Sequence, residues 1–163
     1  MKLLVATVCD AATVREGLLH ILGAGVNRFG VSQFPAQLAA TFAFQLEFER
    51  SELGAEHELA VELADKSDGR IIGGINMRVR PGQGDPSWDP ELPVYGPSAL
   101  PLSMFVIERA GLYEIAITFE GKRLAAIPLT VKEGIVSGAT PKSVVVGVPE
   151  ARAVSTSGGD PAT

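Results

Sequence analysis

A single cysteine, Cys9, stands in a chain of 163 residues, so no internal disulfide can form and no oxidising compartment is implied. Two histidines and that cysteine cannot close a structural zinc site unless carboxylates join them. Positive charge is short as well. Lys and Arg number 14 against 19 Asp and Glu, a formal net charge of -5. Binding to phosphate backbones needs clustered cations, so nucleic acid is not an expected partner. No apolar run approaches the length that spans a bilayer, and no membrane partner is expected. Met1-Lys2 ahead of Leu3-Leu4-Val5-Ala6-Thr7-Val8-Cys9 has the outline of a lipoprotein signal with Cys9 acylated. One Lys is a thin leader, however, and the apolar run only reaches the lower limit for a signal. A first β-strand accounts for the same residues, and the expectation is a cytoplasmic protein.

The usual signatures of catalysis are also missing. There is no Gly-x-Ser-x-Gly elbow. Cys9 and His20 are the one Cys/His pair to consider. A two-residue turn at Glu16-Gly17 would set His20 opposite Thr13 and Cys9 opposite Ala24, several residues out of step. Asp65-Lys66-Ser67-Asp68-Gly69 departs from a calcium loop in its glycine position and in having no Glu at position twelve. Gly23-Ala24-Gly25 lacks both the dinucleotide fingerprint and the Lys-Ser/Thr of a phosphate loop. Glu47, Glu49, Glu56, Glu58 and Glu62 read as the solvent-facing members of alternating strands, offset by Arg78 and Arg80. No cofactor and no catalytic residue is expected.

What is present is a β-rich chain. With 46% hydrophobic residues and seven Phe, one domain can remove roughly 70% of its unfolded surface from water. Tyr113, Ile115, Ile117 and Phe119 alternate with Glu114, Ala116, Thr118 and Glu120, the period of a half-buried strand. Glu120-Gly121 and the run Leu124–Val131 complete a hairpin. Thr41–Glu49 alternates as cleanly, with Phe42, Phe44, Leu46 and Phe48 on one face. A first hairpin runs from Leu3 to Val14, turns at Arg15-Glu16-Gly17 and returns through Leu18–Leu22. A second pairs Glu56–Ala64 with Arg70–Arg80. Its core face is expected to join Leu59, Val61 and Leu63 to Ile71, Ile75, Met77 and Val79. A three-residue loop, Ser67-Asp68-Gly69, with Gly69 left-handed, sets Glu58 opposite Arg78 and Glu56 opposite Arg80. Leu102–Ile107 is expected to rejoin the sheet, and Pro35–Ala40 offers at most a short helical turn.

Two stretches break the pattern. From Pro81 to Pro101, six prolines and three glycines surround Trp88 and Tyr95, which predicts a loop or an irregular edge. After Val131 the chain turns to Ser, Gly, Pro and Ala, giving a sandwich domain over 1–132 and a flexible tail over 133–163. Inside that tail Ser143-Val144-Val145-Val146-Gly147-Val148 is short and strongly β-prone. The fold expected is all-β, an immunoglobulin-like antiparallel β-sandwich of roughly seven to nine strands. Gly111-Leu112-Tyr113 supports it as a tyrosine corner, with Ile115 where antibody domains have Cys.

The Leu4–Val14 strand, Gly17-Leu18-Leu19-His20-Ile21-Leu22-Gly23-Ala24-Gly25, the central acidic-Gly turn and Gly111-Leu112-Tyr113-Glu114-Ile115 together resemble an uncharacterised bacterial family of small proteins, a domain of unknown function. The likeness covers about Met1 to Val131. It implies a β-sandwich and carries over no catalytic or binding residue.

Candidate contact residues lie in the two irregular stretches. Trp88 and Tyr95, with Asp85 and Asp89 beside them, either anchor a ligand or partner or fold back to cap the core. Val144, Val145 and Val146 either add a strand to a neighbour or cover an edge of their own sheet. The function expected is a non-enzymatic protein-interaction or adaptor module, with a protein partner or self-association. Alternatives are small-ligand or carbohydrate binding through Trp88 and Tyr95, and a structural homo-oligomer built by strand exchange through the tail.

Overall fold

The computed structural model describes residues 1–82 and 92–134. Eleven strands follow one another: β1 (Lys2–Arg15), β2 (Leu18–Ala24), β3 (Arg28–Val31), β4 (Ala36–Gln37), β5 (Thr41–Phe48), β6 (His57–Asp65), β7 (Ile71–Val79), β8 (Val94–Pro101), β9 (Val106–Ile107), β10 (Gly111–Phe119) and β11 (Lys122–Glu133). Nine of them form two facing sheets, ordered β2-β1-β5-β8 and β3-β11-β10-β6-β7, while β4 and β9 make a separate two-stranded pair. The protein is all-β, as its alternation demands.

The core lies between the sheets. Phe42, Phe44, Leu46 and Phe48 from β5 meet Leu59, Val61 and Leu63 from β6 and Tyr113, Ile115, Ile117 and Phe119 from β10, all buried. Each set occupies every second position of its strand, so one pleated face is apolar and desolvated. Phe48 and Phe119 bring the sheets together at one end, with ring centroids 6.3 Å apart. Leu46 faces Gly96 on β8, where an added Cβ would lie 2.7 Å from the Phe48 ring. Glycine is required there by close approach rather than by backbone angle.

The first and third hairpins form with their expected Glu-Gly turns, although a bulge shifts the register of the third between Ile117 and Thr118. Glu16-Gly17 (φ 53° and 75°) and Glu120-Gly121 (φ 46° and 72°) each place two successive residues in the left-handed region. This is the two-residue turn whose twist matches that of the flanking strands. His20 pairs with Thr13 and Cys9 with Ala24.

The second hairpin needs a correction. Glu58 does face Arg78, and Gly69 is left-handed (φ 72°). The loop has four residues, however, because Asp65 N–H already bonds to the Arg70 carbonyl. A bulge then shifts the register between Leu63 and Ala64. The extra residue turns Ile71 outward, 56% exposed, and brings Ile72 against the core instead. The ladder ends at His57–Val79, so Glu56 bonds Arg78 at 3.4 Å and Arg80 donates to the Gly54 carbonyl at 2.7 Å.

Further corrections concern irregular stretches. Residues 94–101 of the Pro-rich segment form strand β8, which pairs with β5 through eight residues. Pro97 and Pro101 are tolerated because β8 is at the edge of its sheet, where a missing amide donor costs no central ladder bond. Leu102–Ile107 does not rejoin a main sheet: a single 3-10 turn over Leu102–Met104 leads into β9, paired with β4 inside the stretch read as a turn. One pairing is parallel, β3 with β11, because the chain crosses between sheets at Gly25–Asn27.

Candidate functional site

The β1–β2 ribbon is the most unusual surface of this domain. Residues Lys2–Cys9 of β1 pair with β5, whereas Cys9–Arg15 pair with β2. Past the end of the β5 ladder, the sheet is therefore two strands wide among the described residues. None of the residues from Asp10 to Gly25 is buried. Antiparallel partners share a face, so Ala12/Ile21 and Val14/Leu19 lie together on one side. Ala11/Leu22, Thr13/His20 and Arg15/Leu18 lie on the other. Leu22 is 70% exposed, Leu18 62% and Val14 41%. Alternation would normally reserve one face for polar residues, but here both carry large aliphatic groups. A two-stranded hairpin in water is marginally stable on its own, and exposed apolar clusters of this kind mark contact surfaces.

The base of the ribbon is firmly set. Gly25 and Val26 N–H both donate to the Val8 carbonyl, at 2.9 and 3.0 Å, and the Asn27 carbonyl accepts from Thr130 N–H at 2.8 Å. Cys9 is fully buried there, and its thiol donates to the Thr41 carbonyl at 3.3 Å. Burial, assisted by the charge of Asp10, pushes the Cys9 thiol above its ordinary value. It is an inert structural thiol. His20 is exposed four rungs away, about 13 Å along the strand, so no Cys/His pair forms.

A second cluster sits at the corner where β10 begins. Tyr113 donates from its hydroxyl to the Arg109 carbonyl four residues upstream, at 2.6 Å, the contact that defines a tyrosine corner. Arg109 in turn donates from Nε and Nη2 to Asp65 Oδ2 at 3.2 and 2.7 Å. Asp65 Oδ1 accepts from the Ser67 amide at 2.8 Å and its hydroxyl at 2.6 Å. Asp65 is the one buried charged residue among the described residues. The Ser67 and Arg109 hydrogen bonds hold its carboxyl down at about 2. Every oxygen is occupied, and an acid of that strength is a poor proton acceptor near neutrality. The cluster is a latch for the corner, and the Asp65–Gly69 loop spends its carboxylates on Arg109 rather than on a cation.

Of the contact residues proposed from sequence, Tyr95 is the one within the described stretch. It lies on β8 opposite Glu47, on the outer face and 47% exposed. The capping alternative is thereby overturned for Tyr95, because the inward positions of β8 are its neighbours Val94 and Gly96. Trp88, Asp85, Asp89, Val144, Val145 and Val146 lie outside the described residues. Glu49, Glu56 and Glu58 are exposed and Glu47 and Glu62 half-buried, as expected of outward positions.

Sequence reasoning missed three features. The lack of cover over Leu18 and Leu22 is one. The Asp65–Arg109 pair is another, although Tyr113 facing Asp65 across β10 and β6 sets up its geometry. The third is His57, held by Glu120 at 3.3 Å and by the Glu52 carbonyl at 2.8 Å beside the Phe48 and Phe119 rings. Open depressions of about 430 and 450 Å³ also occur, one over Glu58, Asn76, Arg78 and Thr118, the other between β7 and Met104–Val106.

No curated protein matches the chain. A model of a family of unknown function (DUF6941) matches residues 4–132, a stretch that takes in both sheets, the ribbon and the tyrosine corner. By that match, which spans most of its length, the chain belongs to this family.

Proposed function

We propose that this protein is a non-enzymatic, cytoplasmic protein-interaction module whose contact surface is the β1–β2 ribbon. The observation that carries the reading is the pair Leu18 and Leu22, both more than half exposed on a strand whose far side is also aliphatic. Burying two such leucines contributes about 1.5–3 kcal/mol each, enough to form the hot centre of a protein contact. The polar chemistry fits the same reading: Asp65 and Arg109 neutralise each other, and Cys9 is sealed. The scaffold reads as immunoglobulin-like. Strands β1, β5 and β8 stand where that wiring has A, B and E, and β6, β10 and β11 where it has C, F and G, with the tyrosine corner on the F position. Such a scaffold presents grafted surfaces and dictates none of them.

Photo-crosslinking tests the site. A crosslinker placed at Leu22 is expected to trap one discrete protein species from native lysate, and the same group at Asn76 to trap none of it. Equal trapping from both positions would refute the ribbon as the contact surface.

A second reading rests on Tyr95. An exposed aromatic opposite Glu47 on the outer face supplies a stacking platform with a hydrogen-bonding neighbour, which suits a sugar ring.

A further inference from the structure

The ribbon requires cover, and the chain holds a segment able to supply it. Among the described residues β2 pairs with β1 alone, so its outer edge offers unpaired backbone groups alongside Leu18 and Leu22. The base of the ribbon and the end of β11 are one short link apart, since Val8 holds Gly25 and Val26 while Asn27 holds Thr130. Gly134, four residues beyond Thr130, donates to the Val31 carbonyl at 2.9 Å. The chain therefore leaves the sandwich at the end from which the ribbon extends. A further 29 residues, 135–163, follow that point. From Gly134 to Ser143 the chain spans up to about 30 Å when extended. The ribbon from Cys9 to Arg15 rises only about 20 Å.

We infer that Ser143–Val148 of the same chain docks as a third strand along the outer edge of β2. Val144, Val146 and Val148 fall on one face of such a strand and Val145 on the other, matching a ribbon that is aliphatic on both sides. Three strands with an apolar face reach the stability that two lack. A tether of this length holds the segment at roughly millimolar effective concentration, which favours its own ribbon over another copy's. Docking at this edge does not depend on the proposed contact role of the ribbon.

Hydrogen exchange on the full-length protein, with no partner present, tests the docking alone. Val144→Asp together with Val146→Asp is expected to speed exchange of the outward amides in Leu18–Leu22 about tenfold. Amides of Leu63 and Ile115 serve as the folding control and should not change. Equal rates in wild type and variant would overturn the docking. Protection of β2 that disappears on hundredfold dilution would also overturn it, assigning the contact to a second copy. Neither outcome bears on crosslinking from Leu22, so loss of one reading leaves the other standing.

Discussion

Phe42→Ala is expected to destabilise the protein by about 3–5 kcal/mol, the cost of emptying a fully packed aromatic site. Phe42 has no exposed surface, its ring centroid lies 5.4 Å from that of Phe44, and β5 runs between β1 and β8. Relaxation cannot easily fill the space, because strands on both sides hold the backbone of β5 in place. A domain of ordinary stability has about 5–15 kcal/mol in total, so the variant sits near the edge of folding. Urea unfolding followed by circular dichroism is the measurement, read as a lower midpoint with an unchanged slope. A loss under about 1 kcal/mol would show that β5 does not carry the shared core.

The second large effect is a pH dependence centred on Asp65. Its carboxyl titrates at about 2 in the fold against a reference value of 3.8. A depressed acid favours the folded state whenever it is ionised, so the contribution is present above about pH 4 and disappears as pH falls through about 2. Asp65→Asn removes that contribution at every pH. Wild type is therefore expected to be the more stable protein above pH 4. The gap should narrow between pH 4 and pH 2, and the two curves should meet below it. Glu52 and Glu114 are also held below their usual range, Glu114 by hydrogen bonds from Lys66 and Arg123. Both are common to the two proteins and cancel in the difference. A gap that stays constant from pH 5 to pH 2 would mean that Ser67 and Arg109 do not hold Asp65 as a low-titrating carboxylate in solution.

Much of this fold was legible because it is built from alternation and two-residue turns. Glu16-Gly17 determined the register of the first hairpin, and Phe42 to Phe48 named the buried face of β5 without help from any other strand. Gly111-Leu112-Tyr113 likewise marked a tyrosine corner, though not its partner, the Arg109 carbonyl. The failures are tertiary in origin. Ile71 faces water because a bulge inserts one residue beside Ala64, and a bulge leaves no mark in the local hydrophobic pattern. Residues 94–101 form a strand despite their prolines, because being at an edge excuses them, and edge position is a property of the whole sheet. The ribbon shows the same limit most clearly. Leu18, Leu19, Ile21 and Leu22 read as an ordinary return strand, and only the end of the β5 ladder reveals that nothing among the described residues buries them.

The central claim, that the ribbon is the contact surface, is tested most directly by the affinity of the species that crosslinks to Leu22. Leu18→Asp with Leu22→Asp alters exposed side chains outside the core, so the melting temperature should stay within a few degrees of wild type. Titration of that species against both proteins is predicted to show at least about a hundredfold weaker binding to the double variant, the equivalent of roughly 2.8 kcal/mol. An affinity unchanged within about threefold, with the variant shown to be folded, would contradict the claim.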